Sequence, residues 1–207
     1  MRLDDRKQLV PQLEMVRESL DGLPDIELPD GYSMRTYLPG DGTAWERIIG
    51  ESFNRNMEPG SFDSMMRTDS AFLPERIFFA VYESAQIATA SAWSMPGYGD
   101  ECGYLHYVGC ADAHRGKGVG KAVSYAALHR IKKEGRAKAV LRTDDSRIPA
   151  IRMYIKLNFR PLLVHENQRE RWRKICKEID KGLLNTFQDI FAGPVYPIPD
   201  SCSRRSN

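Results

Sequence analysis

The stretch "HRGKGVGKAV" sets glycine at 116, 118 and 120, with Arg115 ahead and Lys117 and Lys121 among them. An apolar-periodic segment follows at once. A glycine-rich turn feeding a helix is built to hold an anion. The first helical N–H groups lack intrahelical partners, and the helix dipole is positive there. Glycine lets the backbone approach a phosphate closely and take positive φ. Arg115 and Lys117 add charge at the rim, where solvent screens it. Two familiar phosphate motifs fail. A dinucleotide GxGxxG needs a glycine where Lys121 stands, with an acidic ribose ligand further on that is missing. GxxxxGK[ST] meets Ala111 at its first glycine and Gly118 at its hydroxyl position. A turn that merely caps the helix, holding no ligand, fits the local pattern equally well.

Other residues carry chemistry more weakly. His106 lies in a strand-like run with Tyr104, Val108 and Cys110, and alternation predicts all four on one face. Histidine titrates near neutrality and is suited to proton relay, but a lone strand histidine also serves as a core or rim residue. Glu83 and Glu101 are weaker candidates for a base. The four cysteines, Cys102, Cys110, Cys176 and Cys202, form no CxxC pair and no ligand spacing with histidine, so neither zinc nor a disulfide framework is expected.

The elements that must position these residues can be read along the chain. Its 207 residues, 42% hydrophobic and 28% charged with net charge +2, suggest one soluble domain with extensions. Such a balance gives no argument for nucleic acid or an anionic membrane. The start, "MRLDDRKQLV", is charged where a signal peptide needs an apolar core, and no apolar run nears the ~20 residues of a membrane span. A reducing cytoplasm is the expected location. Over residues 4–20, Leu9, Leu13, Val16 and Leu20 predict an amphipathic helix stopped by Gly22 and Pro24. A strand with Tyr32, Met34 and Thr36 follows, then a helix with Trp45, Ile48, Ile49 and Phe53 on one face, and a short helix near 61–67. "RIFFAVYE" and "QIATASAW" predict strands joined by a tight turn at Ser84-Ala85. Residues 103–110 form the strand that feeds the glycine turn and its helix, which Gly135 stops. "KAVLRT", "IPAIRMYIKL" and "FRPLLV" read as strand, helix and strand. From Glu166 onward a charged helix carries Trp172, Ile175, Ile179 and Leu183. Its basic residues alternate with acids and read as a solvated face, not a nucleic-acid surface.

The motif Arg115-x-x-Gly118-x-Gly120 between strand and helix, in "VGCADAHRGKGVGKAV", resembles the acyl-CoA-binding motif of the GNAT superfamily of N-acetyltransferases. "PAIRMYIKLNFRP" resembles that family's A-x-x-x-Y-x-K-x-G-F segment, in the family's order and at about its separation. The resemblance covers about residues 31–164. It implies an α/β (α+β) fold whose mixed, mainly antiparallel sheet splays between its fourth and fifth strands, flanked by helices. It also implies acetyl-CoA as cosubstrate and no metal. The pyrophosphate would lie on Arg115, Gly116, Lys117, Gly118, Val119 and Gly120, and the pantetheine arm along Val108, Gly109 and Cys110, with the thioester near Cys110.

Tyr154 matches the family's tyrosine that protonates the departing thiolate. A phenol with an ordinary pKa near ~10 suits that task, although in an isolated helix it would read as packing between Ile151 and Phe159. His106 and Tyr104 stand nine and eleven residues before Arg115, where some members acting on small amines carry the base. Asn158 replaces the family's glycine and still tolerates left-handed φ. Arg147 replaces an asparagine that contacts pantetheine, so "TDDSR" (143–147) could face the acceptor instead. The family's seventh strand is missing after the sixth, so it is expected either near "GPVYPI" or not at all.

The domains expected are a helix and linker over 1–28, the acyl-CoA-binding N-acetyltransferase domain over 29–165, and a helix with a proline-rich tail over 166–207. The partners expected are acetyl-CoA, an amine-bearing acceptor and a second copy of the chain, with neither nucleic acid nor membrane. A non-catalytic acyl-CoA-binding module and a nucleoside-triphosphate binder are the rival readings. In a thermal-shift experiment CoA is expected to raise the melting temperature, and ATP with magnesium to leave it unchanged; the reverse pattern identifies the nucleotide binder.

Overall fold

The computed structural model describes residues 11–196. The chain divides into two compact units, Val16–Leu141 and a second formed by the chain up to Met15 together with the chain from Arg142. Two strands, β1 (Leu13–Arg17) and β6 (Lys138–Thr143), run through the boundary between them.

In the larger unit the elements follow the predicted order: β2 (Tyr32–Thr36), α1 (Gly42–Phe53), one π-helical turn at Asp63–Arg67, β3 (Ile77–Tyr82), β4 (Ala85–Trp93), β5 (Cys102–Cys110) and α2 (Val119–Lys133). Strands β2 to β5 pair antiparallel in sequence, and β5 pairs parallel with β6. The β3–β4 turn lies at Glu83 and Ser84, not Ser84-Ala85. Both residues have positive φ, 46° and 71°, as a turn matching the twist of a hairpin requires.

Pairing sorts the faces of β4. Ala88, Ala90 and Ala92 form the face shared with Leu105, and the small side chains admit α2 closely. A Cβ on Gly103 would stand 2.2 Å from Ile131 Cγ2 of that helix. Thr89, Ser91 and Trp93 face the other way, toward α1. There Trp45, Ile48 and Ile49 are fully buried, each side chain contributing about 1.5–3 kcal/mol. The turn of Asp41 fixes the start of α1: its carboxylate accepts hydrogen bonds from Arg35, Leu38 N–H and Gln86. Burial alone would raise the Asp41 carboxyl, but those donors outweigh it and hold the group below its ordinary range.

The smaller unit holds α3 (Ile148–Lys156), β7 (Arg160–Leu162), α4 (Asn167–Ile179) and two short helices, α5 (Leu183–Thr186) and α6 (Gln188–Ala192). Asn158 ends α3 with φ 60°, and Phe159 N–H bonds Tyr154 C=O, so asparagine fills the left-handed cap as expected. Trp172 is the buried anchor of α4. The arginines on that helix are paired: Arg169 with Glu166, Arg171 with Asp145, Arg173 with Glu170.

The strand order is β2-β3-β4-β5-β6-β1-β7. Mixed and mainly antiparallel, it matches the expected fold class, with one correction. Residues 13–17 form a strand, not part of a helix, and that strand stands between β6 and β7. The seventh strand of the described sheet is thus supplied ahead of the others in sequence, and the described part of "GPVYPI" forms no strand. Of the latter, the described part reaches Tyr196, whose N–H bonds Leu163 C=O at 2.7 Å. Residues 4–10 of the predicted helix lie outside the described residues.

The helical reading failed because Glu14 and Arg17 look like a polar face, yet every residue of β1 is buried. Glu14 pairs with Arg142 at 3.0 Å, their side chains 4% and 11% exposed. Replacing one partner of such a pair leaves a buried charge uncompensated. Glu14→Ala is therefore expected to lower stability in urea by about 3 kcal/mol, and Glu14→Leu with Arg142→Met to recover most of it. A solvated helix would give near zero for the single change.

Candidate active site

The site is built on the end of β5. The ladder between β5 and β6 covers Cys102–Tyr104 and stops there. This is the expected splay; in the chain's own numbering it falls between the fifth and sixth strands, because β1 precedes the rest. Against β4, the register slips by one. Ser91 pairs with His106, but Thr89 pairs with Gly109. The extra residue is a bulge at Tyr107, whose φ is 42°.

The bulge overturns the expected alternation. Gly109, not Cys110, shares the face of Tyr104 and His106, while Cys110 lies on the face of Ala88. Gly109 meets α1 so closely that a Cβ would stand 2.9 Å from Ile49 Cδ1 and 3.0 Å from Ser52 Oγ. Ala111 N–H bonds Ile87 C=O, so Cys110 opposite Ala88 is a non-hydrogen-bonded pair. Its N–H and C=O therefore point away from β4. Both are engaged by Ser52 of α1.

His106 is half-buried, its ring centroid 4.0 Å from Tyr107, 5.1 Å from Tyr104 and 5.8 Å from Trp93. Opposite it, Ser91 Oγ is buried without a hydrogen-bond partner among the described residues, as are Thr89 Oγ1 and Trp45 Nε1. Buried polar groups of this kind are what ordered water serves. Val108 is buried and Cys110 half-buried, and burial pushes the Cys110 thiol up to about 11 despite the nearby Arg115. Burial likewise raises the Tyr107 phenol against a hydrogen bond from Arg55.

Past β5 the chain turns at Asp112–His114. His114 Nδ1 lies 2.7 Å from Tyr32 Oη, and the rings of Tyr32 and Tyr82 pack beside it, which pins the entry to the glycine turn. Gly116 and Gly118 have φ 76° and 85°, with nothing within 4 Å of a Cβ at either. Backbone conformation demands glycine there, and open space lies beside it. No side chain caps α2. Val119 and Gly120 open the helix, so its first N–H groups are available to an anion. Arg115 leans on Asp112 at 2.5 Å and on Glu51 C=O at 3.1 Å, while Lys117 and Lys121 are exposed.

Tyr154 belongs to the smaller unit. It is buried, its ring centroid 6.2 Å from Phe159, and burial raises its phenol while Arg147 opposes the shift. "TDDSR" offers less to a substrate than expected: Asp144 accepts from Gln12 at 2.9 Å, and Asp145 pairs with Arg171. Glu101 pairs with Lys138, and Glu83 sits in the β3–β4 turn. Sequence reasoning missed Glu51 and Ser52, which look like the solvated end of a helix; nothing in their spacing marks them. Among the described residues no group of three His, Cys, Asp or Glu is placed to hold a metal, and no helix is long and apolar enough to cross a membrane. Cys102, Cys110 and Cys176 are free thiols.

The chain is similar to known proteins in sequence and in fold. A mycothiol acetyltransferase from Thermomonospora curvata is 31% identical over 153 residues, 71% of this chain and 50% of its own length. One from Nocardia farcinica is 29% identical over 160 residues, 72% and 53% of the two chains. The chain thus spans about half the length of these curated relatives. In fold it is similar to a GCN5-related N-acetyltransferase from Sphaerobacter thermophilus, with TM-score 0.57 and 23% identity over 73% of this chain and 49% of that one. Residues 45–159, which hold most of α1, the bulged strand, the glycine turn and α3, match the acetyltransferase (GNAT) family, and since they make up more than half of the chain, it belongs to that family.

Proposed function

We propose that the chain is an N-acetyltransferase that moves an acetyl group from acetyl-CoA to a primary amine by direct attack. The observation that carries this reading is the uncapped, glycine-led N-terminus of α2, placed directly after the part of β5 that runs beyond its ladder with β6. N–H groups from Gly116 to Gly120, including those of Lys117 and Val119, take the pyrophosphate, with Arg115 at the rim. Val108 and Cys110 offer backbone groups to the pantetheine amides. Gly109 gives its backbone to Thr89 and contributes the lack of a side chain.

Direct attack needs a neutral amine, a polarised thioester carbonyl and a protonated leaving thiol. His106 takes the proton from the ammonium, and the buried hydroxyls of Ser91 and Thr89, which have no hydrogen-bond partner among the described residues, support a water path beside it. Tyr154, with its phenol raised by burial and so protonated at neutral pH, supplies the proton to the thiolate. Residues 29–165, with the strand of residues 13–17 added to their sheet, form the acyl-CoA-binding domain, and the free thiols fit a reducing cytoplasm. The relatives' name favours a small-molecule acceptor, mycothiol in its unacetylated form, over a protein amine.

Tyr154→Phe is expected to lower kcat by about tenfold to a hundredfold with the CoA affinity unchanged, and His106→Ala to remove the acid limb of the pH profile of kcat/KM. CoA binding with no transfer to any amine, the unacetylated form of mycothiol included, turns the reading to a non-catalytic module. Direct attack also requires an idle Cys110. Its alkylation by iodoacetamide, read by mass spectrometry, is expected to be slow at pH 7.5 and to rise about tenfold per pH unit toward 11.

A further inference from the structure

Helix α1 ends on the strand assigned above to the pantetheine arm. Ser52 Oγ, in its last turn, accepts a hydrogen bond from Cys110 N–H at 2.7 Å and donates one to Cys110 C=O at 3.0 Å. The neighbouring Glu51 adds two contacts. Its carboxylate accepts from Asp112 N–H at 3.0 Å, and its C=O accepts from Arg115 at 3.1 Å. One helical turn therefore engages backbone and guanidinium groups that an acyl-CoA would use from Cys110 to Arg115.

A backbone N–H carries a single hydrogen. The Cys110 N–H cannot serve Ser52 Oγ and an amide carbonyl of the arm together. Nor can Cys110 offer a different edge, because its N–H and C=O both point away from β4. Ser52 comes this near because residue 109 is glycine. A displaced serine hydroxyl on a helix has another acceptor in the C=O four residues back, here that of Ile48, so it can yield.

We infer that Ser52 is an internal competitor of the pantetheine arm, a hydroxyl that occupies the Cys110 N–H and C=O the arm would use and so sets how tightly the cosubstrate binds. This rests on the acyl-CoA reading. It makes Ser52 a positioning residue for Cys110 rather than a catalytic one, and it predicts an effect confined to the arm.

Titration calorimetry with two probes tests it. CoA carries the arm; 3′,5′-ADP, its nucleotide part, reaches only the glycine turn. Ser52→Ala is expected to bind CoA about fivefold more tightly, the net worth of one hydrogen bond, and 3′,5′-ADP as wild type does. Ser52→Cys, whose thiol bonds more weakly, should shift CoA in the same direction by less and carries the test if the alanine variant does not fold. CoA affinity that both variants leave unchanged or weaken overturns the competitor role while the acyl-CoA reading stands. A shift of both probes together also overturns it, since that marks a general change in the turn. Wild-type protein that binds neither probe overturns the acyl-CoA reading, and the inference with it.

Discussion

The extra residue in β5 is the constraint on which the site depends. A strand alternates its side chains strictly, so one inserted residue reverses every later position with respect to the sheet. Before Tyr107 the strand presents Tyr104 and His106 toward α1. After it, glycine takes that face and Cys110 the other. The same insertion decides which backbone groups are spent on β4 and which are turned outward. Without it the end of β5 would put a side chain where α1 must pass, and the hydrogen-bonding pattern at Cys110 would be inverted.

Apolar packing holds this geometry, and polar contacts aim it. Alanines at 88, 90 and 92 let α2 lie close on one side, while Trp45, Ile48 and Ile49 press α1 onto the other. Burial of that kind is strong but has no direction. Direction comes from a few short bonds: Asp41 at the start of α1, Glu51 and Ser52 at its end, and Tyr32 on His114 at the entry to the glycine turn. The charges at the turn matter less, because Arg115 is half-exposed and already paired with Asp112. Anion binding there is a property of backbone N–H groups and the helix end.

A different rule governs β1. A buried strand with charges at two of its five positions is tolerable only where those charges are met, and Glu14 finds Arg142 on the strand beside it. The pair lets a segment with an amphipathic pattern serve as an interior strand. It also supplies the sheet with a seventh member taken from the opposite end of the domain to that expected. The buried hydroxyls of Thr89 and Ser91 are the converse case: neither has a hydrogen-bond partner among the described residues, and buried polar atoms of that kind are what ordered water serves.

Much of this molecule could be read from local rules. The glycines at 116 and 118 had to be glycine because their φ is positive, and Asn158 could replace glycine because asparagine tolerates the same region. The helices at 42–53, 119–133 and 148–156 follow from apolar spacing, and so do the hairpin strands. These features depend on neighbours along the chain, which the sequence alone specifies. Long-range partners decided the rest. Whether Glu14 faces water or Arg142, whether β5 keeps its alternation past His106, and where the hydroxyl of Ser52 points are set by elements distant in sequence. No periodicity encodes them, because each is the outcome of packing surfaces that exist only once the sheet has formed.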